Sequence, residues 1–235
     1  MGECDSRGQD QSGQQHSSGQ EAVLLVHGLW MTGLEMRWLG TKLKGCGFRP
    51  HYFHYPSLSQ SPKDSARNLA ESIDRLAVEK LHIVAHSLGG IVVLHLFDQF
   101  DHLLDGRVVL LGTPVLGSGV ARVMASRTSL RPFLGAASEG LTRTAPAWKS
   151  DRPLGIVAGT RALGVGRLLG GLCGDSDGTV ALCETRLPGA SDFVRLPANH
   201  MGMLFSKAVA GEICCFLRYG HFNRGEGAVP EGIPE

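Results

Sequence analysis

Residues 82–92 read HIVAHSLGGIV, an apolar strand, a sharp turn and an apolar helix in succession. Residues 81–86 (LHIVAH) form a continuous apolar run of the length of one buried strand. Residues 88–100 continue apolar without a break, as a buried helix would. Between the two, Ser87 occupies a turn with Ala85 two places before it and Gly89 two places after. Strand and helix backbones pass close together at such a turn, so only small side chains fit at those places. A serine held there lifts its Oγ above the sheet and faces the free N–H groups and positive end of the following helix. The backbone N–H of Leu88 is then a candidate donor to a developing oxyanion. Ala85 departs from the G-x-S-x-G pattern by one methyl group. The competing reading of these residues alone is an ordinary strand-turn-helix with an exposed serine.

Working outward, short apolar runs alternate with amphipathic stretches. Residues 22–27 (AVLLVH) read as a first buried strand, followed by a glycine turn and a helix over 34–44. Residues 49–55 alternate as a second strand, and Pro62 opens a helix over 63–79 whose apolar face carries Ala66, Leu69, Ala70, Ile73, Leu76 and Ala77. The strand at 81–86 is the third. Residues 107–111, 154–158 and 193–196 supply three more, and a closing helix runs from about 203 to 218. Buried strands separated by helices imply a mostly parallel six-stranded α/β sheet covered on both faces. One domain is expected over 21–220, with a polar, disordered tail at 1–20 and a flexible tail at 221–235. Residues 114–153 lose periodicity and read as a small insertion at the carboxyl edge of the sheet.

Three further segments fall at strand ends. The first strand runs into His27-Gly28-Leu29-Trp30, where Gly28 lets the backbone turn and the Leu29 N–H is a second candidate oxyanion donor. His27 reads as a structural hydrogen-bonding residue. After the fifth strand comes Gly174-Asp175-Ser176-Asp177-Gly178, a loop that offers a carboxylate to orient an imidazole. Asp177 is the choice and Asp175 the alternative; Asp192 lies too close to the last strand. After the sixth strand, His200 stands on the loop before the last helix. Only His200 and His221 follow Asp177, and His221 belongs to the C-terminal tail. Ser87, Asp177 and His200 therefore occur in the chain order nucleophile, acid, base. His86 is expected to point away from the line of attack. His51, His54, His82, His95 and His102 are read as packed or solvent-facing.

On these residues the chain resembles the α/β-hydrolase superfamily, particularly its small bacterial lipases and the GPI inositol-deacylase-like hydrolases. The carriers are VLLVHGLW at 23–30, HIVAHSLGGIV at 82–92, SDGTV at 176–180 and NHMGMLFS at 199–206. The resemblance implies a Ser87–His200–Asp177 triad, oxyanion N–H groups at Leu29 and Leu88, and hydrolysis of carboxylic esters with neither cofactor nor metal. An acyltransferase or thioesterase built on the same triad is the alternative it leaves. Within the insertion, Val120, Val123, Met124, Leu130, Phe133, Leu134 and Trp148 read either as an apolar lid or as the inner side of a plain surface helix. Trp30, Leu116, Met124, Phe133 and Met201 are the candidate substrate contacts. The implied partner is a small ester or a lipid, and the lid reading adds weak contact with a lipid interface.

Composition excludes other classes. The 235 residues carry a net charge of +1, which argues against nucleic-acid binding. With 43% hydrophobic residues the chain is neither disordered nor collagenous, and its 32 glycines follow no three-residue period. No run of 18 apolar residues occurs, and residues 1–20 have no apolar core for a signal peptide, so a reducing, cytoplasmic setting is expected. The six cysteines form no convincing framework: two are adjacent, one lies in the polar tail and no CxxC occurs, and a Cys173–Cys183 bridge is conceivable but disfavoured.

Overall fold

A computed structural model describes residues 20–101 and 103–223, so His102 and nearly all of both expected tails lie outside the described residues. Six strands form one parallel sheet: β1 Ala22–Val26, β2 Arg49–Phe53, β3 Leu81–His86, β4 Val108–Leu111, β5 Leu154–Gly159 and β6 Asp192–Leu196. Their order is β2-β1-β3-β4-β5-β6, and every neighbouring pair is parallel. The chain leaves β1 toward one edge and returns as β3 on its other side. The direction of winding thus reverses between β1 and β3, the place where open α/β sheets form a crevice at their carboxyl ends.

Both faces of the sheet are buried, which is why its central strands are apolar throughout rather than alternating. Leu24, Ile83, Leu110 and Ile156 join the core beneath α2 (Pro62–Asp74) and α3 (Leu88–Gln99). Leu25, Val84, Val109 and Val157 join the opposite core, under α1 (Arg37–Gly45) and α7 (Lys207–Tyr219). The helix expected over 34–44 starts as a 3-10 turn at Leu34–Met36, and α2 stops at Asp74 instead of continuing to 79. Past Asp74 the chain turns back toward β3, with Leu76 N–H bonding Ile73 O and Val78 N–H bonding Leu76 O. At its start, α2 has Pro62 in the first turn and Ser61 as N-cap, the Ser61 hydroxyl accepting from Asp64 N–H.

The 114–153 segment contains α4 (Gly119–Ser126), 3-10 turns at Arg131–Phe133 and Gly135–Ala137, and α5 (Ser138–Thr142). Val120, Ala121, Met124, Leu134, Ala137 and Leu141 are buried in the same core as the sheet. The cysteines differ from expectation. Cys46, which caps α1, is bonded to Cys214 of α7, while Cys173 and Cys183 are exposed free thiols. The bonded pair is 168 residues apart in sequence and meets only because α1 and α7 pack side by side on one sheet face. Among the described residues no helix is long and apolar enough to cross a membrane.

Candidate active site

All the candidate residues leave the sheet at its carboxyl edge. Ser87 joins β3 to α3 with φ 54° and ψ −122°, one of two non-glycine residues at positive φ among those described. Such a conformation costs of order 1–3 kcal/mol and persists only where its surroundings enforce it. Here the enforcement is packing: Ser87 N–H bonds Leu111 O at 2.9 Å, and a Cβ on Gly89 would lie 2.5 Å from His27 O. Leu88 is the first residue of α3, so its N–H has no intrahelical acceptor.

The loop after β1 lies against this turn, since β1 and β3 are sheet neighbours. A Cβ on Gly28 would sit 3.0 Å from Ser87 Cβ. Gly28 N–H points to Met31 Sδ at 3.3 Å and Trp30 N–H to Ser57 Oγ at 3.2 Å. The Leu29 N–H between them makes no hydrogen bond among the described residues. His27 is structural, as read from the sequence. It is stacked on Tyr55, its Nε2 accepts from Tyr55 N–H at 3.4 Å, and its carbonyl accepts from Tyr55 Oη–H at 2.9 Å. Burial lowers the His27 pKa, countered in part by the bond to Gly28 O.

Asp177 and His200 meet directly. Asp177 Oδ2 lies 2.7 Å from His200 Nδ1, and both side chains are buried. Asp177 Oδ1 accepts from Thr179 N–H at 2.9 Å and Val180 N–H at 2.7 Å. The backbones are tied as well, His200 N–H donating to Asp177 O at 2.9 Å. With Oδ1 occupied by two donors, Oδ2 remains for the imidazole, and it selects the tautomer with the proton on Nδ1. Asp175 is exposed on the same loop and supplies only its carbonyl, to Leu182 N–H. Asp192 begins β6 at the opposite edge, where Oδ2 accepts from Phe222 N–H.

Ser87 and His200 line one cavity of about 310 Å³. Its walls are apolar: Leu29, Trp30 and Met31 from the β1 loop, Val120, Ala121, Met124, Leu134 and Leu141 from the 114–153 segment, and Leu163, Val165, Val180 and Met201 from the loops after β5 and β6. Of the candidate substrate contacts, Trp30, Met124 and Met201 are among the lining residues. Leu116 and Phe133 do not line the cavity; both face solvent. Leu134, beside Phe133, lines the cavity instead, whereas Val115, beside Leu116, is buried in the core and does not reach it. Phe133 contributes its carbonyl, which accepts from Trp30 Nε1–H at 2.7 Å. Trp148 packs on Phe97, away from the cavity.

Four contributors were not read from the sequence. His86 does not point away: its Nε2 donates to His200 O at 3.0 Å, and the two rings are 4.6 Å apart. Complete burial holds its pKa well below the ordinary imidazole value, with His200 and His27 adding to the effect. With the ring proton on Nε2, the buried Nδ1 is an acceptor, and it has no hydrogen-bond partner among the described residues. Gly112, directly after β4, has φ 53°, and a Cβ there would lie 2.9 Å from Asp177 Oδ2 and 3.1 Å from His200 Nδ1. Glu184 is buried and joins two walls, Oε1 accepting from Gly119 N–H at 2.6 Å and Oε2 from Ala181 N–H at 2.9 Å. Ser57 fixes Trp30 through its hydroxyl. A glycine straight after an apolar strand was the available signal for Gly112; the other three depend on contacts distant in sequence.

The pattern that describes the alpha/beta hydrolase family matches residues 23–212. RutD of Pantoea ananatis, named as a carbamate hydrolase, is 38% identical over 68 residues; the match spans 29% of this chain and only a quarter of RutD. The mature lipase BlEst2 of Bacillus licheniformis superposes with a TM-score of 0.65 at 20% identity, covering 86% of this chain and 93% of the lipase. The metagenomic carboxyl esterase MGS0156 gives 0.62 at 17% identity, covering 78% of this chain and 65% of the esterase. At such identities the two structures speak to the fold, which they share with this protein. The family match spans most of the sequence, and the chain belongs to the alpha/beta hydrolase family.

Proposed function

We propose that this hydrolase cleaves carboxylic esters through Ser87, His200 and Asp177, by way of an acyl-enzyme. The observation that carries the reading is the 2.7 Å Asp177–His200 bond at the wall of the cavity that Ser87 also lines. His200 Nε2 takes the proton of Ser87 as Oγ attacks the carbonyl carbon. Asp177 keeps the other proton on Nδ1 and stabilises the imidazolium that forms. The Leu29 and Leu88 N–H groups receive the oxyanion, each donor of this kind contributing about 3 kcal/mol. His200 then protonates the leaving alcohol, and water repeats the sequence on the acyl-enzyme. His86 and Gly112 are positioning residues, one holding the His200 carbonyl and the other giving the Asp177–His200 pair its room.

The apolar cavity favours an acyl chain over a polar one, since burying each CH₂ is worth about 0.8 kcal/mol. The names of the lipase BlEst2 and the esterase MGS0156 agree with an ester carbonyl. The carbamate named for RutD is a second carbonyl that the same attack would reach. The test is a series of p-nitrophenyl esters of increasing acyl length, with an aryl carbamate alongside, on wild type and Ser87→Ala. Ester turnover rising into medium chains and abolished in Ser87→Ala is expected. Equal turnover in the variant refutes the assignment, and exclusive carbamate turnover replaces the ester reading.

A further inference from the structure

The rim of the cavity carries large apolar side chains facing water. Trp30, Leu163, Val165 and Met201 line the cavity and are all substantially exposed. Phe133, tied to Trp30 through its carbonyl, is exposed beside them. The most exposed is Leu168, at 88%. It belongs to α6 (Val165–Leu169), a short helix that turns its apolar residues both ways. Gly166 and Leu169 face the protein, where a Cβ on Gly166 would touch Val120 and Leu169 packs on the core. Val165 and Leu168, also three apart and so on one face, point outward. Isolated exposed leucines are ordinary, but several large exposed apolar side chains that also line a cavity mark a contact surface.

The charges around this rim have one predominant sign. Arg161 and Arg167 flank Leu163 and Leu168, and Arg127 and Arg131 precede Phe133. All four are exposed, and their side chains make no ion pair or hydrogen bond among the described residues. The acidic groups of the same edge are mostly engaged: Asp177 and Glu184 are buried and bonded, Glu139 pairs with Arg143, and Glu35 bonds Thr32 N–H. Among the described acidic residues of this edge, Asp175 alone is exposed without a side-chain partner. An apolar rim edged by unpaired guanidinium groups matches an interface of acyl chains below anionic headgroups.

We propose that the face formed by Trp30, Phe133, Leu163, Val165 and Leu168 docks on an anionic lipid surface, with Leu168 as the inserted side chain and Arg161 and Arg167 as headgroup contacts. The docking element is therefore the loop after β5, where the sequence had pointed to the 114–153 segment alone. Docked this way, the cavity opens onto the acyl layer and an ester could pass into it without crossing water. The inference does not depend on the chemistry assigned to Ser87, because it concerns binding.

The test is co-sedimentation with phosphatidylcholine vesicles, with and without phosphatidylglycerol, using the full chain carrying Ser87→Ala so that no lipid is consumed. Expected is binding to the anionic vesicles that weakens with added salt. Leu168→Asp should weaken it at least about tenfold, as loss of one buried leucine implies. Arg161→Glu with Arg167→Glu should remove preference for phosphatidylglycerol. In the wild-type background, Leu168→Asp should keep its melting temperature and its turnover of a water-soluble short-chain ester, since Leu168 lies outside the cavity. Absence of vesicle binding, or binding unchanged in Leu168→Asp, overturns the proposal. So does a concentration-dependent dimer that Leu168→Asp converts to monomer, which would assign the face to a second copy of the chain. If vesicles bind but Ser87→Ala retains ester turnover, the docking stands and the catalytic assignment falls.

Discussion

Replacing Asp177 by Asn tests the site at the point where its geometry makes the sharpest demand. The carboxylate holds three donors: Thr179 N–H and Val180 N–H on Oδ1, and His200 Nδ1–H on Oδ2. An asparagine has one oxygen and one NH₂ to serve them. Turning the NH₂ toward the two backbone N–H groups would strip both of their acceptor, at about 1–3 kcal/mol each when buried. Facing His200 with the NH₂ instead leaves those two bonds intact, so this orientation is favoured. Nδ1 must then accept, which puts the ring proton on Nε2 and removes the base that Ser87 needs. A wrong tautomer of this kind lowers kcat by about 10⁴, or roughly 5.5 kcal/mol in the barrier. Thermal stability should change little, because the backbone bonds of the loop survive. The assay is kcat and KM for a p-nitrophenyl ester on Asp177→Asn and Asp175→Asn, each with a melting curve. Asp175→Asn should stay within about twofold, as for any exposed site without a structural partner. A loss below tenfold in Asp177→Asn, or a greater loss in Asp175→Asn, would take the imidazole-orienting role away from Asp177.

Two other perturbations follow from the same contacts. His86 is held neutral by burial, with its pKa well below the unfolded value of 6.5, and His27 is shifted the same way. The unfolded chain therefore binds more protons than the folded one below pH 6.5, so stability falls as pH drops from there toward the folded-state values, by up to about 1.4 kcal/mol per pH unit for each fully shifted histidine. Melting temperatures measured between pH 7.5 and 5.5 should decline, and less steeply in His86→Asn; a flat or rising profile counts against a neutral His86. Gly112→Ala forces a methyl group to within 2.9 Å of Asp177 Oδ2 and 2.6 Å of Met203 Cε, at a positive φ. Displacing reacting groups by about 1 Å costs of order a hundredfold. Its kcat/KM should fall by more than about tenfold with a modest loss of melting temperature, whereas wild-type kinetics would remove Gly112 from the site.

The fold was legible because its evidence is local. Runs such as AVLLV at β1 and LHIVAH at β3 are apolar on both faces, and only a parallel sheet covered on both sides buries them. The family resemblance was equally local, carried by short motifs at strand ends. Boundaries were weaker: α2 has helix-forming residues as far as Glu79, yet the chain must turn at Asp74 to reach β3. What stayed hidden depends on approach across the sheet. Nothing around Cys46 announces Cys214, His86 meets the His200 carbonyl across 114 residues, and Glu184 reaches back 65 residues to Gly119. The cavity walls show the same limit. Leu116 and Phe133 were as apolar as their neighbours Val115 and Leu134, and only the path of the backbone decided which faced inward.

The proposed chemistry requires Ser87 to be a nucleophile activated by His200. A fluorophosphonate reacts fast with a base-activated serine, and tryptic mass spectrometry locates the adduct. A single stoichiometric adduct on Ser87 is expected in the folded protein, absent after denaturation and strongly slowed in His200→Ala. An unlabelled Ser87, or labelling that proceeds equally well in His200→Ala, would contradict it.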